Sequence, residues 1–191
     1  MTLPRMIVVA GPSGSGKSTL FPVFDLCSTA FNVDDRAAAL HGSYVGVSPV
    51  LRKRAQLECE AFIATQIASG ISFAVETTLR SDAALRQVGS ARSAGFATML
   101  IYVCAGDVEE NIVRVARRGA LGGHSAPESE IRDIYSKSIG HLVASRMLFD
   151  AADLFDTSEP WHAPRKVVEL RNKHLRVVAP TPDWVPDVWR A

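Results

Sequence analysis

The sequence predicts an α/β sandwich built around a mostly parallel sheet. Five short apolar runs with strand character alternate with segments of helical periodicity, an order typical of parallel strands joined by crossover helices. The runs lie at residues 6–10, 30–33, 71–76, 98–104 and 152–156. A glycine-rich turn joins the first run directly to a helical segment, which gives a strand–turn–helix unit. The 191 residues are enough for one domain with a real core.

The helical segments carry their own start and stop signals. A helix is predicted at 18–26, bent or shortened by Pro22, which removes a backbone donor. Ser48 and Pro49 begin a long helix that continues to about residue 69. One face of that helix is predicted to carry Leu57, Ala61, Ala64 and Ala68.

Two further helices are predicted in the second half of the chain. Asp107 and Glu110 have the spacing of a capping box, so a helix is expected to about residue 118. Pro127 begins another helix, and its apolar face recurs at Ile131, Ile134, Tyr135, Ser138 and Leu142. The glycines of "GALGGHSAP", residues 119–127, disfavour regular structure and indicate a mobile loop between these two helices.

The pattern changes after residue 156. "RKVVEL" and "LRVVAP" flank Asn172 and Lys173, which predicts a β-hairpin, and a tail bearing Trp and Pro follows. We therefore expect a main domain at 1–158 and a C-terminal hairpin and tail at 159–191 that pack on the same domain.

Composition narrows the functional classes. Hydrophobic residues make up 47% and the formal charge is +1, so a soluble protein is expected and a dedicated nucleic-acid binder is not. The basic cluster of Arg52, Lys53 and Arg54 is expected to be a solvated helix face. Three cysteines without C-x-x-C spacing suggest neither a disulfide framework nor a zinc site. With no signal peptide and no apolar run long enough for a bilayer, a cytoplasmic protein without membrane contact is predicted.

The turn after the first run fits G-x-x-x-x-G-K-[ST] in full, which is a phosphate-binding loop. Gly14 and Gly16 are expected to supply backbone conformations that let several N–H groups converge on phosphate. Lys17 would reach the β and γ phosphates, and the Ser18 hydroxyl would ligate Mg²⁺. The predicted nucleotide-binding residues are Gly11, Pro12, Ser13, Gly14, Ser15, Gly16, Lys17, Ser18 and Thr19.

Missing motifs then sort the classes of phosphate-loop protein. A GTPase requires N-K-x-D, but the one Asn-Lys pair, Asn172 and Lys173, is followed by His174 and Leu175. A transporter ATPase requires an apolar strand that ends in Asp-Glu, and none is present. A small-molecule kinase remains, with ATP as the phosphate donor, GTP as the alternative donor, and Mg²⁺.

Such a kinase needs a carboxylate near the γ phosphate and polar groups for the acceptor. Asp34 ends the second run in "FNVDD", with Asp35 as its rival, and either aspartate could instead cap the following helix. Glu76 ends the third run, where a carboxylate either orients the acceptor or is a buried hydrogen-bonding group.

The kinase also needs cations over the transferring phosphoryl group. Candidates lie on the helix before the glycine loop and beyond it, and at least one is expected to be only solvated. They are Arg114, Arg117, Arg118, His124 and Arg132.

In order, "GPSGSGKST", "NVDD", "FAVETTL", "RVARRGALGGHSAPESEIRDIYSKSIGHL" and "LFDTSE" resemble the zeta toxin family of phosphate-loop kinases over residues 7–158. The resemblance implies a three-layer fold of the nucleoside-phosphate-kinase type. It also implies transfer of the γ phosphate of ATP to a hydroxyl, with UDP-N-acetylglucosamine as the acceptor in characterised toxins. In some members a small antitoxin protein restrains the kinase, so an antitoxin is a candidate partner.

The same resemblance implies roles for individual residues. Asp34 becomes the general base, and Arg118 becomes the arginine of the lid that contacts phosphate, with Lys17 as the third catalytic residue. The acceptor site implied is Asp34 and Glu76, with Thr77 and Thr78 near them. Arg117 and His124 join the predicted acceptor site as cations around the glycine loop, and Arg80 joins it as an extra cation that departs from the family pattern. Arg80 is a cation suited to an anionic acceptor. Two alternatives stay open: a polynucleotide 5′-hydroxyl kinase, and a nucleotide-binding regulatory protein without transfer activity.

Overall fold

The chain forms one seven-stranded sheet in the order β2-β3-β1-β4-β5-β6-β7. The computed structural model describes residues 3–159 and 162–190. The strands are β1 Arg5–Ala10, β2 Ala30–Asn32, β3 Phe73–Thr77, β4 Ala97–Cys104, β5 Ala151–Asp156, β6 Arg165–Arg171 and β7 His174–Val177. The pairs among β1 to β5 are all parallel. The predicted α/β class and its five parallel strands are confirmed.

The predicted hairpin is present, and it extends the sheet. β6 pairs antiparallel with β5, and β7 pairs antiparallel with β6. The sheet therefore has seven strands where the sequence predicted five, because an antiparallel neighbour satisfies the open edge of β5.

In the described part of the chain, seven helices and a short 3₁₀ turn connect and cover the strands. They are α1 Lys17–Leu20, α2 Val23–Leu26, α3 Val33–His41, α4 Pro49–Ser69, α5 Ala83–Ser93, α6 Val108–Ala120, α7 Glu128–Ser145 and the turn Asp187–Trp189. Met6 and Val8 of β1 pack in the same core as α4, α5 and α7. Ile7 and Val9 point to the opposite face and pack with Val23 of α2. The result is the predicted three-layer arrangement.

Most helix starts follow the predicted signals. The Ser48 hydroxyl accepts a hydrogen bond from the Leu51 N–H (3.3 Å) at the start of α4. Asp107 accepts one from the Glu110 N–H (2.9 Å) at the start of α6. Pro22 splits the helix predicted at 18–26 into α1 and α2, and itself caps α2. A mid-helix proline cannot donate the backbone bond that would join them.

Three local predictions are wrong. Leu57, Ala61, Ala64 and Ala68 face solvent, and Ala55, Cys59 and Ile63 form the buried face of α4. Both sets recur at helical spacing, but Ala55 is small enough to pack beside Ala37 of α3. The helix after β2 is capped by Asn32 rather than by Asp34 or Asp35. The loop predicted from residue 119 starts later, because α6 continues through Ala120.

The C-terminal tail packs into the main core. The indole N–H of Trp189 donates to the Leu142 carbonyl of α7 (2.9 Å), and the Trp189 side chain is fully buried. The Trp184 ring lies 5.8 Å from that of Tyr102 in β4. In the described part of the chain, no helix is both long and apolar enough to cross a membrane.

Candidate active site

The phosphate-binding loop joins β1 to α1, and its shape depends on glycine. Gly14 has φ +83°, and a Cβ there would lie 2.6 Å from the Asn111 carbonyl oxygen of α6. A Cβ on Gly11, at φ +141°, would collide with the Val103 carbonyl of β4. Any larger residue would therefore push the loop off the sheet or off α6.

Lys17 lies inside the curl of this loop. Lys17 is only 6% exposed, and its ammonium group donates a hydrogen bond to the Pro12 carbonyl (2.9 Å). Burial lowers the pKa of Lys17, while the carboxylates of Glu76 and Asp34 act in the opposite direction. The loop thus holds a desolvated cation next to two acidic groups.

Glu76 is bound on both of its carboxylate oxygens. It lies near the end of β3, opposite Val9 of β1. Oε1 accepts from the Ser18 hydroxyl (3.0 Å), and Oε2 accepts from the Asn32 side-chain amide (3.2 Å). Burial raises the pKa of Glu76, and Lys17 partly opposes that shift. The sequence predicted that Glu76 orients the acceptor or is a buried hydrogen-bonding group; the structure also brings it into contact with Ser18 of the nucleotide loop.

Ser18 and Glu76 fit the donor set that Mg²⁺ prefers. Both offer hard oxygen atoms, and the two atoms are in contact. Residues 3–159 and 162–190 contain no group of three or more His, Cys, Asp or Glu that could hold a metal ion. Mg²⁺ in nucleotide sites commonly takes one or two protein oxygens and completes its shell with phosphate and water, so this pair is sufficient.

The two candidate bases face different surroundings. Asp34, in the first turn of α3, lines a cavity of about 630 Å³ that Ser13 of the loop and Glu76 also line. Asp35 does not line this cavity, and its carboxylate accepts a hydrogen bond from the Tyr44 hydroxyl (2.9 Å). Successive residues of a helix point about 100° apart, so the two side chains have different neighbours.

The cavity collects most of the predicted acceptor residues. Asp34, Glu76, Thr77, Thr78, Arg80 and His124 all line it. The structure adds residues that sequence reasoning missed, namely Arg52, Lys53 and Gln56 of α4 and Gln87 of α5.

The prediction of a solvated basic face is wrong for Arg52, which is part-buried in the cavity wall, whereas Lys53 is exposed and also lines the cavity. Of that cluster, Arg54 alone is absent from the cavity wall, and it pairs with Glu58 (2.9 Å). Arg52 and Gln56 are four residues apart and so share one face of α4. That spacing alone does not say which face of α4 lines a cavity.

The cations of α6 do not reach the cavity wall. Arg118 donates from Nε to the His124 carbonyl (2.9 Å), and neither it nor Arg117 lines the cavity. Arg114 donates to the Thr157 carbonyl (2.7 Å) and to Glu110, and the Thr157 hydroxyl contacts the Ser15 carbonyl (2.9 Å). Arg114 therefore braces the phosphate loop. Arg132 does not line the cavity either, and its guanidinium group donates to Glu109 and Glu128.

His124 connects the glycine loop to α4. Its Nδ1 lies 3.3 Å from Nη2 of Arg52. Burial lowers the pKa of His124, and the Arg52 and Arg118 charges lower it further, although Asp34 opposes them. A neutral imidazole can accept the Arg52 hydrogen bond, whereas an imidazolium cannot.

Sequence comparison gives little beyond these observations. No family profile matches the chain. An uncharacterized protein of Haemophilus influenzae is 26% identical over 137 residues, which cover 69% of this chain and 92% of that protein.

Structure comparison identifies the fold. A chain of the PezAT chromosomal toxin–antitoxin system of Streptococcus pneumoniae is similar with TM-score 0.66 and 17% identity, over 100% of this chain and 78% of that one. The AvrRxo1-ORF1:AvrRxo1-ORF2 complex gives TM-score 0.66 and 17% identity, over 92% of this chain and 61% of that one. The same complex with ATP gives TM-score 0.63 and 18% identity. This chain thus spans less than two thirds of the AvrRxo1 chain. At 17–18% identity the likeness is one of fold: this chain has the three-layer α/β fold of these structures, and the fold is consistent with the resemblance seen in the sequence.

Proposed function

We propose that this protein is a kinase that transfers the γ phosphate of ATP to a hydroxyl of a small anionic acceptor, a sugar nucleotide such as UDP-N-acetylglucosamine. One observation carries the proposal: the phosphate loop, a candidate base and a cavity large enough for a metabolite share one wall. ATP is the donor and GTP the alternative. The likeness to a complex solved with ATP supports this choice.

The nucleotide end is built from the loop and β3. Backbone N–H groups of residues 11–19 and the Lys17 ammonium would hold the phosphates. Ser18 and Glu76 would hold Mg²⁺, which when bound neutralises charge on the phosphate oxygens. The buried setting of Lys17 strengthens its attraction for an anion, because little water screens it.

Asp34 is the proposed general base. As the acceptor oxygen bonds to the γ phosphorus, its proton passes to the Asp34 carboxylate, and the bond from that phosphorus to the ADP oxygen breaks. Asp34 lines the cavity that would hold the acceptor, whereas Asp35 is bonded to Tyr44 outside it. This difference supports Asp34 over its rival.

The far end of the cavity supports an anionic acceptor. Arg52 and Lys53 of α4 and Arg80 of the loop between β3 and α5 line the cavity, and Gln56 and Gln87 add amide groups. Arg80 pairs with Glu130 at 3.3 Å, but both side chains are about half exposed, so an anion could replace Glu130 at small cost. Thr77 and Thr78 supply hydroxyls for the sugar.

Arg117 and Arg118 are the proposed lid cations. They end α6, next to the glycines of residues 119–123, and such segments commonly close over bound nucleotide. Closure would bring their charge over the transferring phosphoryl group and exclude water. Arg118 is already tied to the closing segment through the His124 carbonyl.

A labelled-acceptor panel tests the function. Radiolabelled γ phosphate of ATP is offered with Mg²⁺ to UDP-N-acetylglucosamine, other UDP-sugars, neutral sugars, nucleosides and a 5′-hydroxyl oligonucleotide. We expect label on a UDP-sugar and none on neutral sugars. Label on the oligonucleotide alone would replace the proposal with a polynucleotide kinase. ATP binding without any labelled acceptor would favour a regulatory nucleotide-binding protein.

Charge-removal variants test the acceptor class. Arg80→Gln and Lys53→Gln should each raise the KM for the acceptor about tenfold or more and leave the KM for ATP unchanged, since one lost charge-assisted contact costs about 1.5–3 kcal/mol. Arg54→Gln, on the same helix but outside the cavity, is the matched control. Equal effects of Arg54→Gln and Lys53→Gln would contradict an acceptor subsite.

We further propose a cytoplasmic kinase with an antitoxin protein as its partner. The cytoplasm supplies ATP and keeps the free thiols Cys27, Cys59 and Cys104 reduced. The Streptococcus pneumoniae fold relative belongs to a toxin–antitoxin system, which supports a partner of that kind. Growth arrest on expression of the wild type but not of Lys17→Ala tests toxicity. Normal growth with active kinase would contradict it.

A further inference from the structure

We propose that Asn32 is a positioning residue that aims the Glu76 carboxylate at Ser18 and fixes the helix that carries Asp34. The inference rests on the proposed kinase function and concerns that same site. Asn32 is the first residue of the "NVDD" motif, but the sequence assigned a role there only to the aspartates.

The Asn32 side chain lies between the two acidic residues of the site. It is only 7% exposed, at the end of β2, directly opposite Glu76 of β3 in the strand register. Its Nδ2 donates to Oε2 of Glu76 (3.2 Å). Its Oδ1 accepts from the N–H of Asp34 (2.9 Å) and of Asp35 (3.3 Å). One amide thus joins the carboxylate of β3 to the first turn of α3.

Neither task alone requires asparagine. Aspartate and serine cap helices about as well as asparagine does, because each offers an oxygen to the first-turn N–H groups. Only asparagine among these can cap α3 with its oxygen and, with its amide nitrogen, still donate to a carboxylate on the neighbouring strand. The chemical difference between asparagine and aspartate therefore separates the two roles.

The donor also has an electrostatic effect on Glu76. The Asn32 amide N–H donates to the Glu76 carboxylate without adding a charge beside it. Asn32 binds one Glu76 oxygen from the neighbouring strand, and the other Glu76 oxygen faces the Ser18 hydroxyl. An aspartate at position 32 would instead place a second carboxylate beside Glu76, and one of the two would take up a proton.

Asn32→Asp is the decisive variant, with Asn32→Ala as the variant that removes both contacts. The control is Asn172→Asp, which makes the same chemical change in the β6–β7 turn, away from the cavity. The measurements are melting temperature, ATP affinity by calorimetry with and without Mg²⁺, and the pH profile of kcat.

Asn32→Asp should melt within a few degrees of the wild type and bind ATP normally without Mg²⁺. The gain in affinity on adding Mg²⁺ should fall at least about tenfold, and the acid limb of kcat should move to higher pH. Asn32→Ala should show the same loss of the Mg²⁺ effect together with a lower melting temperature, and Asn172→Asp should match the wild type.

A merely structural Asn32 predicts the opposite outcome. Asn32→Asp would then keep both the Mg²⁺ effect and the pH profile, and this result would overturn the proposal. Should Asn32→Asp not fold, Asn32→Ser decides in the same way, because serine keeps the cap but is too short to reach Glu76. If the wild type binds ATP with Mg²⁺ but labels no acceptor, the proposed function is refuted. The effect of Mg²⁺ on the ATP affinity of the Asn32 variants then still tests the role of Asn32. Wild type without any Mg²⁺ effect on ATP binding would overturn both.

Discussion

The adjacent residues Asp34 and Asp35 of α3 have different neighbours and therefore different expected roles in phosphoryl transfer. Asp34 lines the cavity, and Asp35 accepts the Tyr44 hydroxyl. Asp34→Asn should lower kcat by about 10²–10⁴-fold, the usual contribution of a general base. Asp35→Asn should stay within a few-fold of the wild type. Steady-state transfer kinetics on both variants measure this, and equal losses would remove the assignment.

Lys17 is expected to be needed for transfer and not for folding. Burial disfavours its charge, so Lys17→Ala should leave the melting temperature near that of the wild type while transfer falls at least about a hundredfold, as for other lost transition-state contacts. Lys137→Ala, which removes an exposed lysine paired with Asp133, is the control. Unfolding of Lys17→Ala would show that the lysine is structural.

The pH dependence of phosphoryl transfer should report the protonation of the buried Glu76 carboxylate. Burial raises the pKa of Glu76, so this group takes up a proton at a higher pH than an exposed glutamate does. Since its ionised form would hold Mg²⁺, kcat should fall as the pH drops through that raised pKa and be constant above it. A pH–rate profile at saturating ATP, compared with that of Glu76→Gln, measures this. A wild-type acid limb at the ordinary glutamate value would contradict it.

Sequence reasoning found the residues whose chemistry is local to a motif. Gly14, Lys17 and Ser18 follow from loop spacing alone. In the structure Gly14 has the expected positive φ, Lys17 donates to the Pro12 carbonyl and Ser18 donates to Glu76, and their contacts with nucleotide and Mg²⁺ stay predictions. Sequence reasoning missed Asn32 and Arg52, whose roles depend on which strand or helix lies opposite. Those contacts span 44 and 72 residues of chain, and no local pattern encodes them.

At the scale of elements, α6 holds the phosphate loop in place through a close backbone approach. A Cβ on Gly14 would meet the Asn111 carbonyl, so Gly14→Ala should lower the free energy of unfolding by about 1–3 kcal/mol and weaken ATP binding. Gly140→Ala is the matched control, because its Cβ would meet nothing within 4 Å inside α7. That change should stabilise the protein by about 0.5–1 kcal/mol. Denaturant titrations give both values, and a stable Gly14→Ala variant would contradict the close approach.

The errors at this scale have one cause. The sequence predicted helix α4 correctly. The apolar face singled out on it is the solvent-exposed one, because two sets of residues on α4 have the same spacing. Which set is buried depends on α3 and the sheet, which a helical period does not describe. The same choice turned Arg52 and Lys53 toward solvent in the prediction, whereas they line the cavity.

At the scale of the whole molecule, the C-terminal hairpin and tail complete the kinase core. Trp189 is fully buried and bonded to α7, although it lies 47 residues from Leu142 in sequence. Trp189→Ala should therefore cost about 3–5 kcal/mol of stability, measured by denaturant unfolding in a single transition. Trp189→Phe, which keeps most of the ring, should cost less. A second transition assigned to the tail would contradict our prediction that residues 159–191 pack on the main domain.

The measurement that tests the central claim most directly is phosphoryl transfer from ATP to UDP-N-acetylglucosamine, followed by phosphorus NMR, for wild type and Asp34→Asn side by side. The account predicts a new sugar phosphate resonance and ADP with the wild type, and unchanged substrates with Asp34→Asn over the same period. ADP without a sugar phosphate, or equal transfer by both proteins, would contradict it.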